Sequence, residues 1–301
     1  MHPDTELVSG GVVADTLSAA LPHGVAHGEE NIFAELLHHV HDAPTLETPF
    51  GHLPLPHFEP FDLLGMSINL SITKHVVFLW VSAAVLCLLA ILVARRVARQ
   101  AVPTGFAAFV EVMAVYVRDE IALYAMGERG MRYTPYLMTT FFFILLMNLM
   151  GLIPYGSTAT GNVNVTAGLA LVAFVMIQAS AIRAQGVRHY LAHLTAGVHW
   201  ALWPIMVPIE IIGLFTKPFA LCVRLFANMN GGHIVIVSLI GLIFLFQNYL
   251  VAIAPAGFVV GILFLELFVA LLQAYIFTML TATFMGLGME EAEHHGQGAH
   301  G

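Results

Sequence analysis

The stretch Lys217-Pro218-Phe219-Ala220-Leu221-Cys222-Val223-Arg224-Leu225-Phe226-Ala227-Asn228-Met229-Asn230-Gly231-Gly232-His233 decides how the chain is read, because it sets an arginine inside an apolar tract. The tract runs from Ala201 to Phe246. As continuous helix at ~1.5 Å per residue it would be about 69 Å long, over twice a ~30 Å hydrocarbon core. It therefore either turns back as a hairpin near Gly231-Gly232 or lies steeply oblique in a membrane as one helix. In both cases Arg224 is about 30 Å of helix from either end, too far for its side chain to reach water by snorkelling. A guanidinium stays protonated, and at the bilayer centre it costs roughly 2.5 to 3.5 kcal/mol on insertion scales. A partner must offset that cost.

Working outward, Glu210, Gly213, Lys217, Ala220, Arg224, Ala227 or Asn228, and Gly231 recur at three- and four-residue steps and share one stripe. Small residues on a membrane helix admit another helix at close range. Here the approaching surface must also answer a fixed positive charge, which points to a carboxylate on a partner.

Arg224-Leu225-Phe226-Ala227-Asn228-Met229 followed by Gly231-Gly232-His233 resembles the signature of subunit a of the rotary F-type ATP synthase, the membrane stator of the Fo sector. Asn148-Leu149-Met150-Gly151-Leu152-Ile153-Pro154 and Asn162-Val163-Asn164-Val165-Thr166 are similar to the same family, so the resemblance spans about residues 66 to 286. It implies that Gln273 is the family's glutamine beside the arginine and Asn228 the asparagine one turn after it. It also implies that His233 and Glu266 occupy two positions that hold an acid and a histidine in either order. Ala220 departs from the serine of some members, so no hydroxyl is needed there.

Composition agrees. The 301 residues are 58% hydrophobic and 10% charged, against about 25% charged in soluble domains. Three parts follow: an acidic, His-rich extracytoplasmic arm (1–65), a membrane domain (66–286) and a disordered cytoplasmic tail (287–301). The first 62 residues hold ten acids and no Lys or Arg, whereas Arg95, Arg96, Arg99, Arg118, Arg129 and Arg132 follow the first span. By the positive-inside rule the amino terminus is expected outside and the carboxyl terminus in the cytoplasm; the resemblance implies that the membrane is a bacterial inner membrane. Met1 to Leu21 lacks a basic leader region, so no cleavage is expected.

The predicted fold is an all-α integral membrane protein of about five crossings. The spans are Ile72–Ala94, Tyr136–Ile153, Val165–Ala181, the oblique tract, and Tyr249–Met285. Thr104 to Tyr124 reads as an amphipathic helix at the inner interface. A short amphipathic helix is expected at Asn31–Val40.

Cys87 and Cys222 lie far apart in apolar tracts and form no redox or metal motif. The histidines His38, His39, His41, His294 and His295 have no supporting cysteine, so neither a metal site nor a cofactor is expected. No Walker A motif or HExxH is present, and the chain is expected to make no bonds itself.

Glu266 and Gln273, seven apart, share a helix face. His233 and Glu266 suit a proton relay, the alternative being a structural hydrogen-bonded pair. Glu210 and Lys217 fit the inner end of the path or, equally, an interfacial salt bridge. The resemblance implies a proton-conducting component of an ATP-synthesising complex. Its expected partners are a c-ring bearing carboxylates, the b subunits of a peripheral stalk, the lipid bilayer and, indirectly, the soluble F1 sector; no nucleic acid is expected. The competing classes are a stand-alone cation-coupled secondary transporter, with Arg and Glu at its midplane, and a purely structural membrane anchor.

Overall fold

The computed structural model describes residues 45–48, 51–54, 61–63, 66–68, 74–99, 104–152, 159–187, 190, 203–246 and 249–297. The expected helix at Asn31–Val40 and the histidines His38, His39 and His41 lie outside these residues. In the arm, β1 (Thr45–Thr48) pairs antiparallel with β2 (Gly51–Pro54), and at its end β3 (Phe61–Leu63) pairs with β4 (Met66–Ile68), just past residue 65. These two small hairpins were not anticipated from the arm's mixed composition.

From Lys74 onward the described chain is helical. Helix α1 (Lys74–Val97) ends on Arg95 and Arg96, cations that complement the negative end of a helix dipole. Helix α2 (Phe106–Tyr116) passes through a π-helical turn at Val117–Leu123 into α3 (Tyr124–Gly130). Its wider winding buries Val117, Ile121 and Ala122 completely, and Gly127 at φ 63° kinks α3. The amphipathic segment thus runs six residues past Tyr124.

Helix α4 (Thr134–Gly151) starts with Pro135, where a missing N–H costs nothing. Helix α5 (Val163–Gln185) is capped by Asn162, whose side chain accepts from the Asn164 N–H at 2.8 Å, and stops at Gly186 with φ 81°. Helix α6 (Trp203–Phe246) is unbroken over 44 residues, about 66 Å, with Pro208 and Pro218 inside it. Of the two forms expected, the single helix is therefore the one formed, not the hairpin. Helix α7 (Tyr249–Gln297) exceeds expectation too, since it continues twelve residues beyond Met285. The tail expected to be disordered is helical as far as Gln297.

Five helical segments are long and apolar enough to cross a membrane: Lys74–Val97, Phe106–Gly151, Val163–Gln185, Trp203–Ile243 and Ile253–Met289. They match the five expected crossings. The core joins Leu137, Phe141 and Ile144 of α4 to Ala173 and Ile177 of α5 and to Phe277, Ala282 and Met285 of α7. Small residues set the spacing. A methyl group on Gly286 would overlap the Ala125 carbonyl, and one on Gly288 would lie 2.9 Å from Ala181 Cβ, so α7 lies directly on α3 and α5. Gln185 Nε2 donates to the Gly288 carbonyl at 2.8 Å. The buried hydroxyls of Thr278 and Thr281 donate to their own helix at Ala274 and Phe277, 2.8 Å each, and leave no orphan polar group.

Candidate functional site: the arginine stripe of α6

Leu221, Leu225 and Met229, at four-residue steps, are buried and hold α6 to the bundle. The adjacent stripe is open. Gly213, Ala220, Ala227 and Gly231 are exposed, and a Cβ at Gly213 or Gly231 would meet nothing within 4 Å. Arg224 is on this border, half-buried, and its Nη1 is buried without a hydrogen-bond partner. Among the described residues no carboxylate pairs with it. The missing partner inferred from the sequence is thus not supplied by this chain's described residues.

A groove of about 500 Å³ runs from Arg224 along α6 past Lys217 and Gly213, closed on the other side by Leu280 and Phe284 of α7. Lys217 Nζ sits 4.9 Å from the centroid of the Phe284 ring, a cation–π arrangement. Glu210 is half-buried on the same helix and forms no salt bridge with Lys217. Seven residues of helix separate the two by about 10 Å of rise, too far for contact.

Above the arginine, Asn228 Nδ2 donates to Gln273 Oε1 at 2.7 Å, joining α6 to α7. Gln273 is buried and its Nε2 has no partner, so a donor is left aimed into the interface. One turn further, Glu266 packs onto Gly232, where any side chain would collide with its carboxyl group. The residues beside the glycine and over it are then His233 and Glu266. Both are half-buried, and His233 Nδ1 and Glu266 Oε1 are buried without partners. The hydrogen-bonded structural pair is not formed; the two groups are neighbours, each with a buried polar atom that has no hydrogen-bond partner. Gly232, which the sequence offered as a turn residue, instead makes room for the carboxylate.

The structure adds polar groups that the sequence reading passed over. Thr160 Oγ1 donates to Asn148 Oδ1 at 3.1 Å, both residues being buried, and Asn230 Nδ2 donates to the Gly161 carbonyl at 3.1 Å. The short 3-10 turn Ala159–Gly161 therefore ties α4 to α6. The Asn148 and Asn162–Thr166 motifs were visible, but not their convergence on this turn.

The profile of the ATP synthase A chain family matches residues 76–286. The chain belongs to that family. It is 48% identical over 279 residues to the ATP synthase subunit a of Chlorobium phaeobacteroides strain BS1, covering 91% of this chain and 81% of that protein. The ATP synthase subunit a of Chloroherpeton thalassium matches at the same identity and coverage. That of Anaeromyxobacter dehalogenans is 45% identical over 304 residues, or 95% and 78% of the two chains. Family membership and five apolar helices together make this a multi-pass membrane protein.

Proposed function

We propose that the chain is the proton-conducting stator of an F-type ATP synthase, forming two offset half-channels that serve carboxylates on a rotating c-ring. The observation that carries this reading is Arg224, a permanent cation with a buried, unpartnered nitrogen beside an open stripe of small residues. A helix bearing a carboxylate could approach that stripe closely and supply the counter-charge.

In this mechanism a proton enters from outside past His233 and Glu266 and neutralises a ring carboxylate, which then turns into lipid. Arg224 attracts the next ionised carboxylate, promotes release of its proton toward the Lys217 and Glu210 end, and repels protons that would run directly between the two paths. Gln273 and Asn228, joined at 2.7 Å, hold α6 and α7 together beside the exchange point. The amino terminus faces outside, the basic clusters and carboxyl terminus face the bacterial cytoplasm, and peripheral-stalk b subunits fix the stator against the ring.

Reconstitution tests the reading. The chain alone in vesicles should conduct no protons above the lipid background, while the whole complex synthesises ATP from a pH gradient. Coupled transport of another solute by the chain alone would contradict it.

A further inference from the structure

The buried residues of α1 are polar. His75 is 5% exposed and Ser82 fully enclosed, although the helix carries Trp80 at 73% exposure and a run of exposed Val, Leu and Ile. Seven residues apart, they share the face that α1 turns inward, about 10 Å from each other along the axis. Ser82 Oγ donates to the Phe78 carbonyl at 2.8 Å and lies 3.2 Å from Met150 Sδ, near the end of α4. This puts His75 about two turns beyond Met150, at the level of the 3-10 turn Ala159–Gly161, against which α1 packs. Asn230 of α6 reaches that turn, and His233 is one turn on from Asn230. The Lys74 ammonium, next to His75, is close enough to His233 to act on it electrostatically. Three elements therefore bring a second histidine, this one buried, to the end of the molecule where His233 and Glu266 sit.

We propose that His75 is a proton-carrying residue at the mouth of the path that leads to His233. An imidazole accepts a proton at one ring nitrogen and releases one from the other, so it passes a proton inward without net change. Among the described residues the titratable groups gathered at this end are Lys74 on α1, His233 on α6 and Glu266 on α7, the last placed by its contact with Gly232. Helix α4 and the 3-10 turn contribute Asn148 and Thr160, which do not titrate. The inference rests on the stator reading above.

The test uses the assembled synthase in vesicles, with ATP synthesis driven by an imposed pH gradient and passive proton conduction measured after the soluble sector is removed. His75→Ala and His75→Gln should both slow conduction by about tenfold, less than the ~10²-fold of an obligatory proton donor because water can bypass a residue at the mouth. Millimolar imidazole added on the Lys74 side should restore His75→Ala and leave the parent complex unchanged. Parental conduction in His75→Gln, which keeps size and hydrogen bonding, would overturn the proposal. So would equal losses that imidazole does not relieve. If His75→Ala fails to assemble, the rate in His75→Gln decides. The double variant His233→Ala with Glu266→Ala separates the two levels of inference. A slow double variant beside a normal His75→Gln removes only the role of His75, whereas a double variant at the parental rate removes the path itself.

Discussion

Helices α1 and α6 are equally unburied by the rest of the chain, with 6% of each apolar window enclosed, yet they expose different things. Helix α1 shows Trp80, Leu88, Ile91 and Leu92, a surface that hydrocarbon covers without further help. Helix α6 has such a side as well, at Ile205, Ile212, Phe215 and Phe219. Its other exposed stripe is Gly213, Ala220, Ala227 and Gly231 beside a charged arginine. Lipid gains little from small residues and does nothing for a guanidinium. Low burial thus has two meanings in one molecule: α1 is left for the bilayer, and the arginine stripe of α6 for a protein surface that carries negative charge.

The largest effect expected from this contrast, short of the arginine itself, comes from filling the stripe. A Cβ at position 231 meets nothing within 4 Å and the residue is exposed, so folding and assembly of the chain should survive Gly231→Leu. Gradient-driven ATP synthesis should nevertheless fall to background, because the ring helix is held off. Normal synthesis with a leucine at this position would show that nothing approaches the stripe closely.

Asn228→Ala should act more mildly. It removes the 2.7 Å bond to Gln273, a net contribution of about 1 kcal/mol, or about fivefold in an equilibrium constant. Flux should drop severalfold while assembly persists, as read by pH-gradient decay in vesicles. A loss as complete as that from filling the stripe would mean that Asn228 itself meets the translocated proton. The smallest effect belongs to α1. Leu88→Ala on the lipid-facing side should change thermal stability by no more than about 0.5 kcal/mol and leave synthesis intact, and a strong defect there would mean that α1 too faces a protein.

Much of this contrast was legible in the sequence, since an arginine in an apolar tract and small residues at helical spacing are local signals. The five spans were legible for the same reason. What glycine does was not. Gly231-Gly232 suits a turn as well as a close approach, and only Glu266 on the facing helix decides for the latter. Gly286 and Gly288 are the places where Ala125 and Ala181 press against α7, and the helix continues past the expected end at Met285. The salt bridge considered for Glu210 and Lys217 failed on rise along the axis, and Lys217 found the Phe284 ring instead. His75 escaped notice because it follows the first lysine at the start of a span, where a histidine ordinarily faces water. The helix that carries it packs on α4 and the 3-10 turn, which are distant in sequence.

The central claim is that Arg224 both drives coupling and blocks leakage, and replacing it tests both at once. Arg224→Lys keeps a charge but substitutes a compact ammonium, which can lose its proton on burial, for a planar fork that cannot. Arg224→Ala removes the barrier altogether. Both complexes should assemble and fail in ATP synthesis driven by a pH gradient, with faster passive decay of that gradient in Arg224→Ala. Synthesis at the parental rate by the Arg224→Ala complex, in vesicles that hold their gradient as well as the parent does, would contradict the account.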